Sequence, residues 1–138
     1  MPKEDYLLKY LEKLSRVIAA MFGFRDKGFP EDAIRLADET FKELLSLDLD
    51  TISLMPVEKF ISTIKSESYN SSYIEALAQI THETAISYTD LDKSIESNIF
   101  FLKALYLYRY LNEKDKTFSF EREQIIADLE QITSHTKK

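Results

Sequence analysis

The chain has 138 residues, no cysteine or tryptophan, two glycines, three prolines and a formal net charge of −6. That length suits one domain that buries roughly two-thirds of its unfolded surface without a disulfide or metal staple. The lack of cysteine excludes disulfides, thiolate metal sites and cysteine nucleophiles, and so little glycine and proline argues for an all-α fold over a turn-rich sheet.

The opening residues (MPKEDY) carry no apolar signal region and no segment reaches transmembrane length, so a cytoplasmic protein that does not enter a membrane is expected. Residues 29–98 hold 14 acidic and 5 basic side chains. An acidic middle repels phosphate, which argues against nucleic acid and anionic membrane surfaces as partners. Solubility alone explains such a surface, and a patch for a basic partner is the functional alternative.

A first helix is predicted from Lys3 to Arg25, started by Glu4 and Asp5, with Leu7, Leu11, Leu14, Ile18 and Met21 on one face and Leu8, Val17 and Phe22 widening it. Gly28 is a stop, and Pro30 opens a second helix to Leu47 with Ile34, Ala37, Phe41, Leu44 and Leu45 inward. Residues 48–51 read as a turn with Asp50 as cap, and Pro56 limits any helix before it to a short turn. Val57, Phe60, Ile61 and Ile64 give a short third helix.

Residues 66–72 (SESYNSS) are the most polar break. Ser72 with Glu75 forms a capping-box pattern for a fourth helix, with Ile74, Leu77, Ala78, Thr81, Ala85 and Tyr88 buried. Thr89 or Asp90 then caps a fifth helix that runs to Asn112. Its stretch 99–111 (IFFLKALYLYRYL) has only Lys103 and Arg109 charged, so it must be surrounded by other helices or another subunit. Glu96, Lys103 and Tyr110 are its expected polar stripe. Ser119 caps a sixth helix with Ile125, Ile126, Leu129 and Ile132 inward, and residues 134–138 read as a frayed tail after a single helical domain, 1–133. Five to six helices with short loops imply antiparallel hairpins.

Two turns share a pattern. Residues 28–35 (GFPEDAIR) and 89–96 (TDLDKSIE) each have a turn residue, acidic residues, a small residue (Ala33, Ser94), then isoleucine and a charge. This resembles the turn of a tetratricopeptide-type hairpin. Met21 and His82 then stand where that family prefers a small residue. The resemblance implies a tetratricopeptide-like right-handed array built from hairpins at 14–47 and 75–108. It further implies a concave protein-binding groove lined by Ser15, Ile18, Phe22, Arg25, Ala76, Gln79, Glu83 and Ile86. The layout is also similar to a family of small uncharacterised bacterial helical proteins, in which an N-terminal helix like residues 5–8 (DYLL) precedes such a hairpin; no activity comes with that likeness.

No catalytic, cofactor or metal residue is assigned. His82 lacks the second histidine of a zinc-protease helix, and Gln79 stands where a di-iron motif needs glutamate. Gly23 and Gly28 are isolated, and Ser87 and Ser94 have no base but His82. Phe100, Phe101, Tyr106, Tyr108 and Tyr110 read as core, with the tyrosines suited to an interface rim. The expected function is a non-enzymatic scaffold that binds a partner protein or itself, with Arg25→Glu plus Glu83→Arg weakening a bound partner. The alternative is a small-molecule binder or enzyme with an internal pocket near His82, and a homodimer through the fifth or sixth helix is a third reading.

Overall fold

The computed structural model describes the backbone of residues 3–134 and side chains from residue 8 onward. The roles expected of Glu4, Asp5 and Leu7, and the tail at 135–138, lie outside what is described. Among the described residues the chain is all-α. It forms seven helices, α1 (Lys3–Asp26), α2 (Pro30–Leu45), α3 (Leu49–Leu54), α4 (Val57–Ser66), α5 (Ser71–Asp90), α6 (Ser94–Lys114) and α7 (Phe120–Ser134).

The helix beyond the expected five to six is α3, where a turn was predicted. Its exposed amides are met from two sides. Asp48, not Asp50, is the cap, and its carboxylate accepts from the Thr51 amide at 2.7 Å. The Asp38 carboxylate accepts from the Leu49 amide at 2.8 Å. These bonds satisfy donors that a six-residue helix would otherwise leave open. Met55 is extended before Pro56, which ends the helix.

The start of α5 also differs from expectation. Asn70 is the cap, accepting from the Tyr73 amide at 2.9 Å, so Ser72 falls inside the first turn and the capping box is not used. Neither Thr89 nor Asp90 caps α6. Asp90 is the last residue of α5, and α6 begins at Ser94 without a side-chain cap. At the last helix, the Ser119 hydroxyl does accept from the Arg122 amide, at 3.2 Å.

The apolar stretch of α6 is explained by its neighbours: α5 lies along it, and α3, α4 and α7 pack around it. Phe100, Leu107 and Leu111 are fully buried. Tyr88 of α5 stacks on Phe100 at 5.6 Å between ring centroids, and Phe60 of α4 meets Phe41 of α2 edge-on at 6.3 Å. The expected outward stripe is corrected. Lys103 is 2% exposed, and its ammonium donates to the Met55 carbonyl just past α3 at 2.8 Å. A cation placed there answers the negative end of α3. Glu96 and Tyr110 of that stripe are half-buried, and the side of α6 that reaches solvent also carries Ile95, Leu102, Tyr106, Arg109 and Glu113. A homodimer through α6 therefore has only this narrow strip to offer. Of the four inward residues expected on α7, Ile126 and Leu129 are buried, Ile125 is half-buried and Ile132 is 36% exposed.

Candidate functional site

The helices α1, α5 and α7 run parallel. At one end the Tyr10 ring of α1 meets Tyr73 of α5 at 6.2 Å. At the other, Arg25 of α1 grips Glu83 and Asp90 of α5. On the opposite flank of α5, Glu75 lies 3.9 Å from Arg122, and Asp128 acts electrostatically on His82. So α5 has α1 on one side and α7 on the other.

Between these flanks α5 shows one strip to solvent. Gln79 is exposed, and Glu75, His82 and Ile86 are half-buried. They recur every three or four residues, which places them on one helix face. The wall formed by α1 carries Leu11 and Ile18, half-buried, Ser15, exposed, and Phe22, 61% exposed. The wall formed by α7 carries Ile125, Asp128 and Ile132 on the side turned to α5. Two depressions open along this strip, one beside Phe22, Asp26 and Asp90 and one beside Thr89, Phe101 and Ile132, and α7 itself packs mainly on α6; the α5 strip with these flanking side chains is the candidate groove.

One wall is pinned by an ion cluster. Arg25 Nη1 donates to both Glu83 oxygens at 2.8 and 3.1 Å, and its Nε donates to Asp90 Oδ2 at 3.2 Å. The Phe22 ring lies 5.6 Å from the same guanidinium. Burial pushes the Glu83 carboxyl up from its ordinary value, against the pull of Arg25. The other wall is pinned by Arg122, whose guanidinium donates to Asn112 at 3.2 Å and Asp115 at 3.3 Å. Its buried Nε has no hydrogen-bond partner among the described residues.

The eight residues expected to line a groove divide accordingly. Ser15, Ile18, Phe22, Gln79 and Ile86 reach it. Ala76 (5% exposed) and Glu83 (9% exposed) do not, because they are buried on the flank of α5 turned to α1. Arg25 is committed to the ion cluster. The cause is a register error of three residues. Gly28 ends α1 in the left-handed conformation (φ 87°), with the Phe29 amide donating to Phe24 O and the Gly28 amide to Arg25 O. The equivalent residue after α5 is Asp92 (φ 58°), not Thr89, with the Lys93 amide donating to Tyr88 O and the Asp92 amide to Thr89 O. Both turns are the same two-bond cap. Aligning Gly28 with Asp92 moves the α5 set to Gln79, His82, Ile86 and Thr89. It also makes buried Ser97, not exposed Ser94, the counterpart of buried Ala33.

His82 is therefore part of the groove floor. Its ring packs edge-on against Phe101 at 5.9 Å and Tyr108 at 6.3 Å, so the core side is filled by aromatic carbon. Burial, with Arg25 nearby, holds its pKa below the ordinary value, which keeps it neutral at pH 7. The depressions beside Phe22 and Ile132 are lined by other residues than His82. Phe100, Phe101 and Tyr108 are core; Tyr106 and Tyr110 lie half-buried on the far side of α6, beside Arg109 and Lys65. Among the described residues, no group of three His, Asp or Glu could hold a metal ion, and no helix is long and apolar enough to cross a membrane. Comparison with family models, curated proteins and solved structures finds no match to this chain.

Proposed function

We propose that this chain is a non-enzymatic helical scaffold, acting in the cytoplasm, whose α1–α5–α7 groove holds a segment of a partner protein. The observation that carries the reading is Phe22, 61% exposed on an apolar wall beside Ile18 and across from Ile86. What supports an interaction site is that the ring is grouped with Ile18, Ile86 and Ile132 on one face, where Phe118 and Phe120 are exposed without such neighbours on that face. The outer face of α2 is by contrast charged, with Glu31, Arg35, Glu39 and Lys42, and that of α7 is mostly polar, with Glu123, Gln124, Glu130 and Gln131 beside the exposed Phe120. Such faces close a helical stack at both ends, which favours a different protein over a second copy as the occupant.

A tetratricopeptide-like array is the architecture this reading uses. In the register set by Asp92, Ala85 takes the small position that His82 filled before. Ala85 with Tyr88, and Ser97 with Phe101, then follow the small-x2-Tyr and small-x3-Phe spacing of that repeat. Parallel packing of α1 on α5, with α2 against both, supports the same arrangement.

The double exchange Arg25→Glu with Glu83→Arg is a poor test, because it rebuilds an ion pair of opposite sense. The test is co-purification of a partner with Phe22→Ser and Ile86→Asp variants, using Glu39→Lys on the outer face of α2 as control. Loss of the partner from both groove variants at unchanged melting temperature is expected. Retention by both would remove the groove as the binding site.

A further inference from the structure

The groove carries a charge as well as an apolar strip. Asp26 lies at the mouth beside Phe22, and takes no ion pair among the described residues. Asp128 on the opposite wall accepts only the Gln124 amide, at 3.3 Å. Glu75 on the floor side faces Arg122 across 3.9 Å. Of the cations nearby, Lys27 follows Asp26 and is exposed, while the two arginines are spent or hidden. Arg25 is saturated by Glu83 and Asp90, and Arg122 is buried under α7. Lys9 and Arg16 of α1 fall by helical spacing on the side turned away from α5. The carboxylates without an ion pair on the two walls, Asp26 and Asp128, are both negative.

We infer that the occupant is a basic amphipathic helix of a partner protein, seated with its apolar face on Ile18, Phe22, Ile86 and Ile132 and its Lys or Arg side chains against Asp26, Glu75 and Asp128. This rests on the scaffold reading and names the partner class for it. Charge complementarity selects the sign, since an acidic segment would meet unpaired carboxylates on both walls. Helical form follows from the surface. The described chain has no strand edge for an extended peptide to pair with. Among the described residues the groove has Phe22 as its one exposed ring, where a polyproline segment needs a row of aromatics. Three parallel helices with apolar side chains on the walls and a largely polar floor leave a channel that suits a fourth, amphipathic helix.

The test uses the intact protein, labelled with 15N, and three synthetic peptides of about 18 residues with leucine at positions i, i+3, i+4 and i+7. The remaining positions are lysine, glutamate or glutamine. The lysine peptide is expected to shift the amides of residues 15–22, 79–86 and 125–132, with affinity falling about tenfold between low and moderate salt. Asp26→Lys with Asp128→Lys should weaken it at least tenfold at unchanged melting temperature, and the glutamate peptide should not bind. Equal binding of the glutamine peptide in the groove would overturn the basic class while leaving the groove standing. Lysine-peptide shifts confined to the charged outer face of α2, or no shift with any peptide, would overturn the inference and the groove together.

Discussion

Replacing Arg25 by methionine leaves the Glu83 carboxylate between α1 and α5 without its guanidinium. The native contact is short, at 2.8 and 3.1 Å to the two oxygens, and Glu83 is only 9% exposed. Breaking a fully buried pair from one side costs about 3–5 kcal/mol. A solvent-exposed pair is worth at most about 1 kcal/mol. With 19% of the Arg25 side chain exposed, the site lies between these limits, so Arg25→Met should cost about 2 kcal/mol. In a domain of this size that lowers the melting temperature by about 8 °C. The loss should depend on pH. An unpaired buried carboxylate has a folded-state pKa above its unfolded one, so its penalty is full at neutral pH and fades as pH falls through the raised value. Urea denaturation of wild type and variant at pH 7 and pH 5 reads both effects. Adding Glu83→Gln to Arg25→Met should recover most of the loss, as should the exchanged pair Arg25→Glu with Glu83→Arg. A loss under about 0.5 kcal/mol at pH 7, or one unchanged at pH 5, would refute the reasoning.

Three further outcomes follow from the packing. Asn70→Ala removes the bond to the Tyr73 amide and should destabilise by about 1 kcal/mol, whereas Ser72→Ala should change stability by less than about 0.5 kcal/mol; chemical denaturation separates them. His82 has a folded pKa below its unfolded value near 6.5, so its share of stability is intact above that pH and declines as pH drops below it. His82→Gln should flatten the stability curve in that window, and an unchanged slope would show that His82 is not the group titrating. Leu107→Ala, at a fully buried site in the helix that four others pack on, should cost about 3 kcal/mol by the same assay.

Much of the architecture was legible in the residues. The apolar run at 99–111 required a helix enclosed by others, and α6 is enclosed by four. Apolar spacing placed α1, α2, α4 and α5 to within a few residues, because burial of one face sets their phase. The misses came where a single polar side chain decides. Asp38 and Asp48 together make a helix of residues 49–54, and Asp38 acts from another element, out of reach of a local reading. Lys103 reads as a surface residue because its acceptor, the Met55 carbonyl, is 48 positions away in the chain. The groove was partly legible. Its α1 wall followed from the Gly28 turn, since glycine announces a left-handed residue. The α5 floor was set three residues early because Asp92, which takes the same conformation, carries a weaker signal than glycine. The wall from α7 had no sequence signal, because it depends on Arg122 holding that helix against Asn112 and Asp115.

The central claim is that the α1–α5–α7 groove is the surface this protein uses. A photo-reactive amino acid at Gln79, on the exposed floor, tests it in the protein's own cells, with the same group at Glu39 on the outer face of α2 as reference. A discrete cross-linked partner from position 79, absent from position 39, is the expected result. A partner captured from position 39 and none from position 79 would contradict the claim and move the functional surface to the acidic outer face.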